Sequence, residues 1–207
     1  MVTSLLSAED AREVEAAVTR VEQATSAELV VAVVPRSADH WQVRVLVAAL
    51  WSLAAALAVL HFRPEMVPVF ALGVEVVVAG ASFFLCGVPA LHRLLILPGR
   101  AEQAAHARAF QLFAERGLYG TKRHTAILIF VSELERRVVL LGDAAIHGEL
   151  GQAGWQAEID RLIARIRAGR LRDGLLEVIT ALEPRLEAVA PRHAGDENEL
   201  PDSVLRD

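Results

Sequence analysis

Residues 45–60 read VLVAALWSLAAALAVL, sixteen consecutive positions without a charged side chain. The run continues to Phe62, and a helix of this length covers about 27 Å, close to the hydrocarbon thickness of a bilayer. A second run, residues 66–91, is interrupted by one charge, at Glu75. Together they predict a transmembrane helical hairpin over residues 43–92, with spans at about 43–62 and 67–91.

The polar segments beside the runs limit the alternatives. Residues 1–42 carry seven acids and do not begin with an apolar stretch, so a secretory signal is excluded. The remaining alternative is a buried hairpin in a soluble protein, which a chain of 207 residues would have to surround completely. We favour the membrane hairpin. Its even number of crossings places residues 1–42 and 93–207 on the same side.

Charges around the runs predict the orientation and the depth of the spans. The connecting loop carries Arg63, whereas the flanks carry four arginines, which favours a cytoplasmic location for both termini in a bacterial inner membrane. Glu75 is a charged residue within the second apolar run, so either it has a function inside the membrane or it lies at the membrane–water interface. We favour the interface, because the second run exceeds the roughly 20 residues that a span needs and can slide. The flanking arginines are Arg36, Arg44, Arg93 and Arg100.

Composition excludes several functional classes. Lys and Arg number 21 against 26 acids, a net charge of −5, which argues against a nucleic-acid partner. The single cysteine, Cys86, can form neither an intramolecular disulfide nor a CxxC motif. It lies in the apolar run, where a packing role is expected. No GxSxG or phosphate-binding glycine loop supports a nucleophilic mechanism.

The polar segments predict one α/β domain split by the hairpin. The order α-β-hairpin-α-β-β-α-α indicates a small mixed sheet with flanking helices. Residues 1–42 and 93–189 supply its two parts, and residues 190–207 are predicted to be an irregular acidic tail. Continuous apolar runs at residues 29–34 and 125–131 read as strands buried on both faces, and residues 137–141 complete a β-hairpin.

Several segments resemble the TPM domain family. They are residues 6–10 (LSAED), 25–31 (TSAELVV), 123–138 (RHTAILIFVSELERRV) and 168–175 (AGRLRDGL), with NELPD at 198–202 as in the membrane-anchored bacterial branch. The resemblance implies a membrane-bound α/β sandwich. Some relatives are described as acid phosphatases, some bind a divalent cation, and plant relatives take part in photosystem repair. Where many relatives have a glycine-rich stretch, residues 142–147 read GDAAIH.

Two clusters are candidates for function. Glu133, Glu135 and Asp143, with His147 nearby, suit Ca²⁺ or Mg²⁺. The alternative, a solvated polar turn with a hydrogen-bonded loop histidine, is the interpretation that we favour. A basic run can contact anionic lipid headgroups or form a solvated helix face. This run comprises Arg161, Arg165, Arg167, Arg170 and Arg172.

Two functions remain open from the sequence. The first is a membrane-tethered binding or assembly module that acts on the bilayer or on a protein partner at the membrane, without a cofactor. The second is a divalent-cation-dependent, phosphatase-like hydrolase with Glu133, Glu135 and Asp143 as ligands. We favour the binding module, because the carboxylates match no specific metal motif.

Overall fold

The computed structural model describes residues 6–121, 123–193 and 203–206. The chain divides into two compact units, one formed by Met1–Ala38 with Ala101–Asp207 and the other by Asp39–Arg100. The two polar segments therefore fold together, although 62 residues, 39 to 100, separate them in the sequence. The NELPD stretch at 198–202 lies outside the described residues.

One mixed sheet, in the order β3-β2-β1-β4, forms the centre of the first unit. Strand β1 pairs in parallel with β2 and β4, and β2 pairs antiparallel with β3. The predicted small mixed sheet is confirmed. The described end of the tail, predicted as irregular, adds β4 through the pairing of Leu205 with Ala32. The strands are β1 (Glu28–Val34), β2 (Ala126–Ser132), β3 (Arg137–Gly142) and β4 (Leu205–Arg206).

Three helices cover one face of the sheet. Their apolar stripes pack on alternate strand residues, among them Val31 of β1 and Ile129 of β2. Ser7 caps the first helix, because its hydroxyl accepts a hydrogen bond from the backbone N–H of Asp10 at 3.1 Å. The three helices are α1 (Ala8–Ala24), α6 (Ala144–Arg167) and α7 (Leu171–Val189).

Helix α5 (Pro98–Glu115) covers the opposite face through Ala105, Ala109 and Leu112. These residues join a second core that includes Phe130 of β2. With both faces covered, every residue of β1 and β2 is buried. This burial is the physical reason for the continuous apolar runs, since a strand with one wet face would alternate apolar and polar residues.

The second unit contains α2 (Trp41–Phe62), α3 (Pro68–Leu85) and α4 (Pro89–Leu95). Arg44 of α2 reaches α3, where its Nε donates to the Phe83 carbonyl at 3.2 Å and its guanidinium lies 4.1 Å from the Phe83 ring centroid. Only 6% and 0% of the most apolar windows of α2 and α3 are buried. These helices are not wrapped by polypeptide, and both are long and apolar enough to cross a membrane.

The second apolar helix ends at Leu85 rather than at the predicted Leu91. Val88 has extended backbone angles (φ −65°, ψ 125°) because a proline, here Pro89, disfavours the helical conformation in the residue before it. Glu75 therefore lies within α3, with only about 15 Å of helix after it. The placement of Glu75 at a membrane interface stays a prediction.

Candidate functional site

The carboxyl ends of β1 and β2 meet at one edge of the sheet, where the β2–β3 turn contains two of the predicted metal ligands. The turn is fixed by backbone hydrogen bonds from Glu133 N–H to the Val34 carbonyl and from Leu134 N–H to the Pro35 carbonyl, both 3.0 Å long. Glu133 and Glu135 are 6% and 7% exposed. The turn is therefore part of the folded core rather than a solvated loop.

Glu135 joins the β2–β3 turn to the segment after β1. The backbone N–H of Ser37 donates to both carboxylate oxygens of Glu135, at 3.1 and 3.2 Å, and the Ser132 hydroxyl donates to the same carboxylate. Bonds to an ionised carboxylate are about twice as strong as neutral ones. Both oxygens of Glu135 are thus occupied by the protein, and this carboxylate holds the turn in place.

Asp143 lies at the other end of the same β-hairpin. Its backbone N–H donates to the carbonyl of Ala126, the first residue of β2, at 2.9 Å, and its carboxylate lies 3.0 Å from Nδ1 of His124. Since β2 runs from Ala126 to Ser132, Asp143 is separated from Glu133 and Glu135 by about 20 Å. The structure does not bring the three predicted ligands together.

No group of three His, Cys, Asp or Glu side chains within the described part of the chain is close enough to hold a metal ion. The side chain of His147 lies outside the described residues. Binding of Ca²⁺ or Mg²⁺ stays a prediction, and any such site needs a ligand set other than Glu133, Glu135 and Asp143.

Three of the five predicted lipid-facing arginines bind carboxylates of their own domain. Arg161 donates to both oxygens of the buried Glu158 at 3.1 Å. Arg165 binds Glu177 at 2.9 and 2.6 Å, and this hydrogen bond raises the pKa of Arg165. Hydrogen bonding to Asp173 likewise raises the pKa of Arg172, which also lies 3.3 Å from Glu13.

The other two arginines of the set, Arg167 and Arg170, are exposed. Arg170 precedes the first residue of α7, and Arg167 lines a groove on the same domain. The five side chains therefore do not act as one uniform basic face. Their contact with lipid stays a prediction.

The groove was missed by the sequence reasoning and runs along β3. In the sheet order β3 is an edge strand, and no described strand pairs with its outer side. Asp143 N–H bonds the Ala126 carbonyl, so Leu141, Val139 and Arg137 form the hydrogen-bonded pairs with β2. The backbone N–H and C=O groups of Val138, Leu140 and Gly142 consequently point away from β2, along the base of the groove.

Two helices form the walls of this β3 groove, which has a volume of about 810 Å³. His106 and Phe110 stand on the α5 side, and Trp155, Ile159 and Ile163 stand on the α6 side. Phe110 is 61% exposed. The walls offer apolar surface on both sides of an unpaired strand edge, a combination that favours binding of another chain.

Charged side chains cluster at one end of the β3 groove. Trp155 packs against Gly142, where an added Cβ would lie 3.2 Å from the indole. Helix α6 then runs back along β3, so Arg167, about 18 Å further along the helix, lies near Arg137 at the start of the strand. The carboxylates of Glu102 and Asp160 line the same groove, and Asp160 lies about 10 Å from Arg167 along α6. The end near Arg137 therefore has two guanidinium groups.

Sequence patterns contain only a weak signal for the β3 groove. Trp155, Ile159 and Ile163 recur at helical spacing and pack toward the core, and Phe110 lies outside the α5 stripe that contacts the sheet. The residues of α5 and α6 beside β3 line a groove only because β3 is an edge strand. The order of strands in the sheet puts it there, with β1 between β2 and β4.

The chain is similar to a known family in sequence and to a known protein in fold. The family model described as the TPM domain matches residues 92–185, slightly less than half of the chain. The NMR structure of BA42 protein from the psychrophilic bacterium Bizionia argentinensis is similar, with a TM-score of 0.62 and 16% sequence identity over 100% of this chain and 99% of that chain. This likeness concerns the fold. No curated protein has a significantly similar sequence.

Proposed function

Since residues 92–185 form part of a TPM domain, we propose that the chain is a membrane-anchored binding module whose β3 groove holds a protein partner. The observation that carries this proposal is the groove itself, with about 810 Å³ between two helices and an unpaired strand edge at its base. Ligand pockets occupy about 300–1,000 Å³. Binding is favoured over metal-dependent hydrolysis because Glu133, Glu135 and Asp143 lie at opposite ends of the β-hairpin.

The first test uses photo-crosslinking within intact membranes. A benzophenone amino acid replaces Phe110, which lines the β3 groove, in the full chain produced in bacterial cells. We expect a discrete adduct with another protein after irradiation, and we expect Ile163→Arg to abolish it, because an arginine there fills the apolar wall. The measurement is the mass of the adduct on a denaturing gel and by mass spectrometry.

Tyr119 is the matched control for this crosslink. It is 60% exposed, against 61% for Phe110, and it is not among the residues that line the β3 groove. Benzophenone at Tyr119 should not give the same adduct. Identical adducts at both positions, or none at Phe110, contradict the proposal. An adduct with twice the mass of the chain would be a crosslink between two copies of this chain, which contradicts a partner of different sequence.

The proposal places α2 and α3 across a bacterial inner membrane, with both polar segments in the cytoplasm. It is supported by the apolar length of both helices and by the excess of arginine on the hairpin flanks over the loop, where Arg63 stands beside Glu65. His92 does not add to the positive flank at neutral pH, since burial, and then the charge of His40, lowers its pKa. The domain is thereby held next to membrane partners.

Reporter fusions test this orientation. Alkaline phosphatase, active only outside the cytoplasm, should be inactive when fused after Asp207 and active when inserted between Arg63 and Glu65. The positive flanks favour retention of both polar segments on the cytoplasmic side. A fluorescent protein that matures in the cytoplasm should give the reverse pattern. Phosphatase activity of the Asp207 fusion would overturn the proposed orientation.

A further inference from the structure

We propose that the β3 groove binds an extended segment of the partner as an added strand, an apolar stretch with an acidic residue at the end next to Arg137. This inference rests on the proposed function, because it specifies how the partner is held. In this mode the main chain of β3 forms most of the hydrogen bonds with the bound segment. Such strand addition is a recurring mode of peptide recognition.

The edge of β3 offers the hydrogen bonds that the mode requires. Val138, Leu140 and Gly142 each direct one N–H and one C=O away from β2, as their positions in the register with Val131, Ile129 and Ile127 dictate. A segment of about five or six residues pairs with this length of strand. Val138 and Val139 pack into the cores on the two faces of the sheet, so the edge offers main-chain groups rather than these side chains.

The walls specify the side chains of the occupant. Successive residues of an added strand point to opposite faces of the sheet. One set then meets Ile159 and Ile163 of α6, and the other set meets His106 and Phe110 of α5. Since both sets contact apolar surface, the preferred segment has consecutive apolar residues rather than alternating ones, with β-branched types favoured in an extended chain.

Charge specifies one end of the occupant. Arg137 and Arg167 line the groove at the same end, and the carboxylates of Glu102 and Asp160 also line the groove. An acidic side chain there gains charge-assisted hydrogen bonds from guanidinium groups, whereas a basic one is repelled. The opposite end, near Gly142, is lined by Trp155 and Gln156.

The shape of the site favours a narrow segment over a second copy of this chain. A two-fold interface sets the same patch of two subunits against each other and so requires a self-complementary surface. The β3 groove is concave, with β3 at its base and α5 and α6 on either side. A concave groove does not fill an identical groove, whereas an extended chain does. A heterologous segment is therefore the occupant.

The test pans a phage-displayed library of random octapeptides against the detergent-solubilised full chain. We expect a consensus of at least four consecutive apolar residues with Asp or Glu at one end. The consensus peptide is then synthesised in two forms, each N-methylated on one alternate set of amides. Only one set points toward β3, so one form should lose binding at least about tenfold and the other should retain it.

Two variants at Leu140 provide a matched pair in the protein. Leu140→Pro and Leu140→Ala both shorten the side chain, but only proline removes the N–H that points away from β2, a position where an edge strand tolerates proline. We expect Leu140→Pro to bind the peptide about tenfold more weakly than Leu140→Ala. Far-UV circular dichroism and the Tm of both variants verify that they are folded.

The outcomes separate this inference from the proposed function. No consensus, equal loss of affinity for both N-methylated forms on the wild-type protein, or equal binding by the two Leu140 variants overturns strand addition. If the Phe110 crosslink to a partner persists in any of these cases, the groove binds a partner in another way and the proposed function stands. A missing Phe110 crosslink overturns the proposed function itself.

Discussion

Replacing Gly174 by valine is expected to destabilise the domain by about 3 kcal/mol or more. Gly174 lies where α7 crosses α6, and a Cβ added there would lie 2.7 Å from Cβ of Arg165 and 2.7 Å from Cδ1 of Leu162. Both distances are far below van der Waals contact. Because Cβ of Arg165 is bonded directly to the backbone of α6, it cannot move aside, and the two helices would have to separate.

The measurement is thermal unfolding of the full chain in detergent, followed by circular dichroism. For a chain of this size 1 kcal/mol corresponds to about 2–4 °C in Tm, so Gly174→Val should lower the Tm by about 6–12 °C. The Tm of Gly174→Ala should lie between that of Gly174→Val and that of the wild type. Since α6 forms one wall of the β3 groove, the valine variant should also lose partner crosslinking at Phe110.

Gly99→Ala is the matched control for the glycine substitutions. Gly99 lies in α5, and apart from its chain neighbours and the backbone of its own helix no atom lies within 4 Å of the position that its Cβ would occupy. The same chemical change should therefore leave the Tm unchanged or raise it slightly, because alanine favours the helix by up to about 1 kcal/mol. If Gly174→Ala and Gly99→Ala changed the Tm by the same amount, the close approach of α6 and α7 would be contradicted.

Replacing Glu135 by glutamine is expected to destabilise the domain by about 2–4 kcal/mol. The carboxylate accepts from Ser37 N–H with both oxygens and from the Ser132 hydroxyl. Glutamine has nearly the same shape but presents an NH₂ group where one acceptor is needed. A buried donor then faces another donor, and the turn loses its link to the segment after β1.

Glu187→Gln serves as the control, because Glu187 is exposed on α7 and its replacement should change the free energy of unfolding by less than about 0.5 kcal/mol. The measurement is denaturant unfolding in buffer with a chelator, and again with millimolar Ca²⁺. If Glu135 were instead a metal ligand, Glu135→Gln would leave the stability in chelator unchanged and remove a stabilisation that Ca²⁺ gives to the wild type.

The strands and several helices follow closely from the sequence because the physical cause is local. The predicted strand at residues 29–34 corresponds to Glu28–Val34, and the predicted strand at residues 125–131 corresponds to Ala126–Ser132. The helix before Gly117 is Pro98–Glu115. Gly117 ends that helix region with a φ of 67°, a conformation that glycine adopts without steric cost. The end of the second apolar helix was misjudged, because hydropathy continues through Pro89 although the helix does not.

The grouping of Glu133 and Glu135 with Asp143 shows why proximity in sequence is a poor guide to a site. Glu133 and Glu135 lie in the turn of the β-hairpin, whereas Asp143 follows the far end of β3, a full strand length away. The roles of Glu135 and Arg165 were also beyond the sequence. Their partners, Ser37 and Glu177, are 98 and 12 positions away.

Two long apolar helices, a mixed sheet covered on both faces and one domain split around the hairpin are all predictable from the amino-acid sequence, because each depends on the order of apolar and polar residues along the chain. The position of β3 at the edge of the sheet, the placement of α5 and α6 on either side of it, and the proximity of Arg137 and Arg167 in the groove are seen only in the folded structure. These features depend on long-range strand pairing and helix packing, which no local pattern encodes.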